Sequence, residues 1–105
     1  MQIQVLKSKI NATVTGASKG YEGSITIGTD IMRGAGLYAY EKVEVNARDH
    51  DSRISTYVLE GKPGQIELNG GAAQFFKKGD KIHINCFCFM ESEPGYEPDV
   101  INLWK

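Results

Sequence analysis

Apolar and polar residues alternate along most of the chain, and this period of two predicts a mainly β fold. Seven short segments carry the pattern, at residues 2–7, 11–16, 24–27, 42–47, 54–59, 65–68 and 81–90. In the longest of them one face would hold Ile82, Ile84, Cys86, Cys88 and Met90. Because closing a sheet removes its exposed edges, we expect a small closed β-barrel of six or seven strands.

Two segments interrupt the alternation and predict short helical turns. TDIMRGAG begins with Thr29 or Asp30, either of which is a suitable N-cap, and stops in glycine. NGGAAQFFKKGD begins with Asn69, which can cap a second turn. The tail after residue 90 contains two prolines, so we expect it to be extended, with apolar side chains that can dock on the barrel.

Length and charge limit the classes of function. The chain has 105 residues, 41% of them hydrophobic and 24% charged, which suits one globular domain with one core. The formal net charge is −1 and no basic block occurs, so no nucleic-acid partner is expected. No apolar run approaches the about 18 residues of a membrane span, and MQIQVLKSKI lacks the apolar stretch of a signal peptide. We therefore expect a cytoplasmic protein without a membrane partner.

Cysteine and histidine are too few to predict a metal site. Cys86 and Cys88 stand two apart in a predicted strand, side by side on one face, which is poor geometry for a disulfide. A zinc site needs about four ligands, and only His50 and His83 could join the cysteines, His83 from the opposite face. Both cysteines are therefore interpreted as reduced packing residues.

The stretch YEGSITIG places a glycine directly before a serine where a strand begins. The Ser24 hydroxyl can attack the carbonyl carbon of Gly23 and convert the amide to an ester, and glycine tolerates the strained backbone that this requires. Elimination from the ester leaves dehydroalanine, which hydrolyses to a pyruvoyl group, a ketone that can form a Schiff base and act as an electron sink. Taken alone, a Gly-Ser pair is far more often an ordinary turn.

Five stretches, in their order and approximate spacing, together resemble the pyruvoyl-dependent aspartate 1-decarboxylase family: QVLKSKINATVTGA, YEGSITIG, STYVLEG, LNGGAAQ and KGDKIHI. The resemblance covers nearly the whole chain and weakens in the tail. It implies a double-psi β-barrel that cleaves itself between Gly23 and Ser24 into a β chain, 1–23, and an α chain, 24–105. It also implies a homotetramer with active sites between subunits, which converts L-aspartate to β-alanine and carbon dioxide for pantothenate and coenzyme A biosynthesis.

The resemblance assigns catalytic roles to three matching residues. Ser24 would become the covalently bound pyruvoyl cofactor and form the Schiff base with the aspartate amine. Tyr57 would donate a proton to the carbanion that remains after carbon dioxide leaves. Thr56 would contact substrate and help to polarise the Gly23 carbonyl during cleavage. Thr56 and Tyr57 point to opposite faces of a regular strand, so both can act only at a strand end or a subunit boundary.

Basic and small residues complete the substrate site that the resemblance implies. Lys9 and Arg53 would bind the substrate carboxylates, although either one alone is more typical of a solvated surface charge. Tyr21 would have an ordering role at most. Four consecutive residues would form a pocket of backbone donors for the substrate, in which the small side chains permit close approach: Asn69, Gly70, Gly71 and Ala72. The alternative role for Asn69 is that of an N-cap over a short helix.

The segment around Asn11 departs from the family pattern. It reads KINA, one residue shorter than in the family, and Asn11 stands in place of the family's histidine. Asparagine carries no proton charge near neutral pH, and a deletion within a strand reverses its faces unless a bulge absorbs it. His83 and Asn46 also differ from the residue types usual in the family. These departures motivate an alternative, a non-catalytic or unprocessed barrel of the same family that acts as an oligomeric binding or regulatory module.

Overall fold

Strands account for most of the fold. The computed structural model describes residues 1–20 and 23–104, and Tyr21, for which an ordering role is predicted, lies outside them. The described residues form eight strands, one α-helix and one 3-10 helix. In chain order these are β1 (Gln2–Thr13), β2 (Gly16–Ser18), β3 (Ser24–Gly28), α1 (Thr29–Ala35), β4 (Lys42–Ala47), β5 (Arg53–Gly61), β6 (Ile66–Asn69), the 3-10 helix (Gly70–Gln74), β7 (Lys81–Glu91) and β8 (Asp99–Asn102).

The mainly β fold and both helical turns are confirmed, and the strands of the described part number eight. The first two predicted segments are largely one long strand, β1. A β-bulge at Lys7 lets β1 bend while it stays paired with β7. The tail, predicted to be extended, contributes β8, which runs parallel to β1. The polar loop RDHDS joins β4 and β5 as the predicted antiparallel hairpin.

The order of the strands brings the two ends of the sheet together. Neighbouring strands follow the order β2-β6-β3-β5-β4-β7-β1-β8. β1 and β2 lie near opposite ends of this order, yet only Val14 and Thr15 separate them in the chain. The Val14 N–H donates to Asp80 O at 2.9 Å and the Thr15 N–H donates to Ile66 O at 2.7 Å. The sheet therefore curls on itself, as the predicted barrel requires.

The core lies between the inward faces of these strands. Its fully buried members include Ile10, Ile25, Ile27, Val43, Val45, Val58, Ile66, Leu68, Ile82, Ile84 and Cys86. Each such side chain contributes about 1.5–3 kcal/mol of burial free energy, which explains the strict alternation in the sequence. Cys86 and Cys88 are both free thiols. In the described residues no helix has the length and apolar character needed to cross a membrane.

Gly28 joins β3 directly to α1 and is the N-cap of the helix, in place of the predicted Thr29 or Asp30. The Asp30 carboxylate instead accepts a hydrogen bond from the Gly64 N–H at 3.0 Å. A Cβ atom on Gly28 would lie 2.7 Å from the Gly64 nitrogen and 2.7 Å from Lys62 O. This close approach requires glycine, and it fixes how the chain leaves β3.

Candidate active site

The Gly23–Ser24 peptide bond lies at the start of β3, at the boundary between solvent and core. Gly23 is exposed, whereas the Ser24 side chain is only 1% exposed. Asn69 Nδ2 donates hydrogen bonds to Ser24 Oγ at 2.9 Å and to Thr26 Oγ1 at 2.8 Å. The hydroxyl next to this bond is therefore held in a fixed position rather than rotating in solvent.

Asn69 reaches Ser24 because the two residues are opposite each other in the antiparallel ladder of β3 and β6. Asn69 also precedes the 3-10 helix, but its side chain makes no capping hydrogen bond. Asn69 is therefore the N-cap residue by position, as the alternative role predicts, while its amide bonds to Ser24 and Thr26 and not to the helix. Thr26 was not among the predicted site residues; its position two residues after Ser24, on the same face of β3, is the signal that could have identified it.

Gly70 turns the chain from β6 into the 3-10 helix. It adopts φ 60°, a left-handed conformation that favours glycine. The turn brings Gly71 close to the peptide bond, since a Cβ atom placed on Gly23 would lie 4.0 Å from the Gly71 nitrogen. The predicted pocket of small residues is therefore packed next to the Gly23–Ser24 bond.

A cavity of about 330 Å³ opens beside this bond. It contains four of the predicted site residues, Gly23, Thr56, Gly71 and Ala72. Four further residues line it, and the sequence alone did not indicate them: Ile54, Ser55, Gln74 and Phe75. Their presence follows from the packing of β5 against the 3-10 helix, which local sequence patterns do not specify.

Tyr57 lies level with Ser24 on the neighbouring strand. The parallel ladder of β3 and β5 begins with Ile25 opposite Val58. The residues directly before this pair, Ser24 and Tyr57, are therefore level with each other on the same face of the sheet. Thr56 faces the other way, as predicted, although both residues lie within β5 rather than at its end. The Gly23–Ser24 bond lies at the start of β3, where Thr56 lines the adjoining cavity and Tyr57 is level with Ser24 on the other face.

Tyr40 supports the ring of Tyr57. The two rings stack with their centroids 6.3 Å apart and their planes 25° apart. Tyr40 adopts φ 69°, which costs a residue with a Cβ atom about 1–2 kcal/mol. Its backbone N–H donates to Val58 O at 2.7 Å, which helps to hold this conformation. The stacking orients the Tyr57 phenol, and no local sequence signal predicts it.

Arg53 lines a second depression, of about 170 Å³, which adjoins the cavity. The two depressions share Ile54 and Ser55 as a common wall. Within the part of the chain that the structure describes, the Arg53 guanidinium forms no ion pair or hydrogen bond. Lys7, by contrast, is paired with Glu41 at 2.9 Å. Arg53 is thus a cation available to an anionic ligand.

Lys9 lies apart from the other predicted residues. It is in β1, opposite Asn85 of β7. Counting from β3, β1 is four strand positions away in the order of the sheet. The bulge at Lys7 precedes Lys9 and sets which face it occupies. Lys9 is not among the described residues that line the cavity beside the Gly23–Ser24 bond.

Asn11 forms a pair with His83 on the face of β1 that carries Lys9. His83 Nδ1 donates to Asn11 Oδ1 at 2.8 Å, and the Trp104 ring packs edge-on against the imidazole, with centroids 4.8 Å apart. Burial, together with the positive charges of Lys9 and Arg48, lowers the pKa of His83 below its usual value. The imidazole is therefore held neutral near physiological pH.

Comparison with known proteins matches nearly the whole chain. A family model described as aspartate decarboxylase matches residues 1–104. The chain is 42% identical over 104 residues to the aspartate 1-decarboxylase of Bdellovibrio bacteriovorus, covering 96% of this chain and 84% of the relative. It is 48% identical over 99 residues to the aspartate 1-decarboxylase of Caldicellulosiruptor bescii, covering 91% and 77%. It is 44% identical over 108 residues to that of Clostridium kluyveri, covering 98% and 85%.

Proposed function

Because the chain belongs to the aspartate decarboxylase family, we propose that it converts L-aspartate to β-alanine and carbon dioxide by means of a pyruvoyl group made from Ser24. We further propose that it acts in the cytoplasm, in pantothenate and coenzyme A biosynthesis. The observation that supports this most strongly is the setting of the Gly23–Ser24 bond, where Ser24 Oγ accepts a hydrogen bond from a buried amide.

Self-cleavage would begin when Ser24 Oγ attacks the Gly23 carbonyl carbon. The C–O bond forms, the C–N bond breaks, and the hydroxyl proton moves to the released nitrogen, which leaves an ester. Loss of the Cα proton of residue 24 then expels the Gly23 carboxylate and leaves dehydroalanine at the new terminus. Water hydrolyses its imine tautomer, releases ammonia and leaves the pyruvoyl ketone. The products are the predicted β chain, 1–23, and α chain, 24–105.

The residues around the bond suit this reaction. Glycine at position 23 offers little steric hindrance to the attack, and Asn69 fixes the attacking oxygen. Thr56 lines the same cavity as Gly23, which supports a role for its hydroxyl in polarising the carbonyl. Its hydroxyl makes no hydrogen bond within the described residues, and it is therefore free for this role.

The same residues would then serve decarboxylation. The pyruvoyl group would supply a carbonyl that condenses with the substrate amine and withdraws electrons from the bond to the departing carboxylate. Tyr57, level with Ser24 and oriented by Tyr40, would donate the proton that replaces carbon dioxide. Arg53 would bind the carboxylate that remains, and backbone donors of Gly70, Gly71 and Ala72 would orient the substrate.

We also propose that the chain assembles as a homotetramer with its active sites between subunits. Lys9 is not among the described residues that line the cavity at Gly23, which supports this proposal, because a neighbouring subunit could supply a lysine there. Asn85 Oδ1, on the strand beside Lys9, is buried without a hydrogen-bond partner among the described residues. A buried acceptor without a hydrogen bond lowers the stability of the fold by about 1–3 kcal/mol, and a donor from a second subunit would remove this cost.

Two measurements on the purified protein test the proposal. Intact mass spectrometry should show fragments that separate between Gly23 and Ser24, and borohydride with aspartate should trap a covalent adduct on the larger fragment. Ser24→Ala should give only the full-length chain and release no carbon dioxide from aspartate. A wild-type chain that stays full length and inactive would overturn the proposal and favour the alternative of a non-catalytic member of the family, which the replacement of histidine by Asn11 motivates.

A further inference from the structure

We propose that Ser55 is a specificity-determining residue that binds the carboxylate that the substrate retains. The inference rests on the proposed function and assigns a contact to a residue with no role in it so far. It comes from the position of Ser55 between the cavity at the Gly23–Ser24 bond and the depression that contains Arg53.

The wall between the two depressions offers one polar side chain among the described residues. It consists of Ile54 and Ser55, and Ile54 packs against the hydrophobic core. Ser55 is exposed, and its hydroxyl makes no hydrogen bond within the described residues. A ligand that reaches from the reactive bond towards Arg53 must therefore pass this free hydroxyl.

Strand geometry gives the distances. One face of β5 carries Arg53, Ser55 and Tyr57, and neighbouring Cα atoms in this row are about 7 Å apart along the strand. Ser24 is level with Tyr57. The Cα atom of Arg53 is thus about 13 Å along the strand from the level of Ser24, whereas that of Ser55 is about 7 Å away. When the amine of a four-carbon amino dicarboxylate is at Ser24, its distal carboxylate lies near Ser55. The long side chain of Arg53 can extend along the strand and contact the same carboxylate.

The position of Ser55 favours a short substrate. Glu44 lines the Arg53 depression and is opposite Ser55 in the ladder of β4 and β5, so a carboxylate at this level also meets a like charge. A carboxylate that stops at Ser55 gains a charge-assisted hydrogen bond from the hydroxyl and keeps contact with Arg53, and these two contacts offset that repulsion. A carboxylate carried beyond Ser55 by a longer chain loses the hydrogen bond from the hydroxyl. Ser55 would therefore favour aspartate over glutamate.

The test is Ser55→Ala in the full-length protein, with Ser55→Thr to restore a hydroxyl and Ser92→Ala, in the exposed tail, as the matched control. A hydrogen bond to a charged group makes a difference of about 10- to 100-fold in binding. We expect Ser55→Ala to raise the KM for aspartate by at least about tenfold while kcat changes less than about twofold, with normal cleavage by mass spectrometry. Ser55→Thr should recover most of the loss, and Ser92→Ala should match the wild type.

Succinate binding, measured by calorimetry, separates this inference from the proposed function. Succinate has the two carboxylates but no amine, so its binding does not depend on turnover. Inactive wild-type protein would contradict the proposed function, yet weaker succinate binding by Ser55→Ala would still support the contact. An unchanged KM together with unchanged succinate affinity would overturn the inference. Failure of Ser55→Ala to cleave would also overturn it, since the residue would then act in folding or processing.

Discussion

Replacing Asn69 tests how Ser24, the proposed source of the pyruvoyl group, is held. The side chain is 4% exposed and donates two hydrogen bonds, to Ser24 Oγ and to Thr26 Oγ1. Asn69→Ala removes both donors, so each of the two hydroxyls loses the hydrogen bond from this amide. Each neutral hydrogen bond contributes about 0.5–1.5 kcal/mol, so the loss in free energy of unfolding should be about 1–3 kcal/mol.

The stability measurement is cleanest where the chain cannot cleave. In a Ser24→Ala background Asn69 retains the bond to Thr26, so Asn69→Ala and Thr26→Val form a double-mutant cycle. Urea unfolding of the four proteins should give a coupling free energy of about 0.5–1.5 kcal/mol. Additive effects of the two substitutions would show that the amide does not bind Thr26 in solution.

The cleavage measurement uses the chain with Ser24 intact. Freshly purified Asn69→Ala protein should produce the two fragments about 10- to 100-fold more slowly than the wild type, because the attacking oxygen is no longer held near the Gly23 carbonyl. Asn69→Asp is nearly isosteric but has no donor when ionised, so it should be slow as well. Cleavage of both variants at the wild-type rate would refute the reasoning that Asn69 positions Ser24.

Three further predictions concern other parts of the molecule. Tyr57→Phe keeps the ring that stacks on Tyr40 but loses the hydroxyl group. The chain should still cleave, while kcat for carbon dioxide release should fall about 100-fold or more. A fall of less than about tenfold would assign the proton to another donor. Gly28→Ala should lower the free energy of unfolding in urea by about 1–3 kcal/mol. Gly20→Ala should not, because none of the described residues lies within 4 Å of a Cβ atom added there, and equal effects would contradict the steric argument. The pKa of His83 in the folded state is below 6.5, so the unfolded chain takes up the proton first, and the free energy of unfolding should fall as pH drops from about 6.5 towards the lowered value. Urea midpoints measured across this pH range should show the fall in the wild type and a flatter slope in His83→Gln. An unchanged slope would exclude His83 as its source.

The sequence by itself determined the features that depend on neighbouring residues in the chain. Alternation of apolar side chains specified the strands, because only that period keeps one face in the core. Glycine-containing interruptions specified the two helical turns. The chemistry proposed for the Gly23–Ser24 pair is also local, since the hydroxyl and the carbonyl belong to adjacent residues.

The tertiary structure decided which distant groups surround that bond. Asn69 matched a helix cap in the sequence, but the register of β6 against β3 directs its amide to Ser24. The parallel pairing of β3 with β5 places Tyr57 beside Ser24, although 33 positions separate them. The same strand order puts Lys9 on β1, four positions from β3 in the sheet. Register and strand order depend on the packing of the whole core, and no local pattern contains that information.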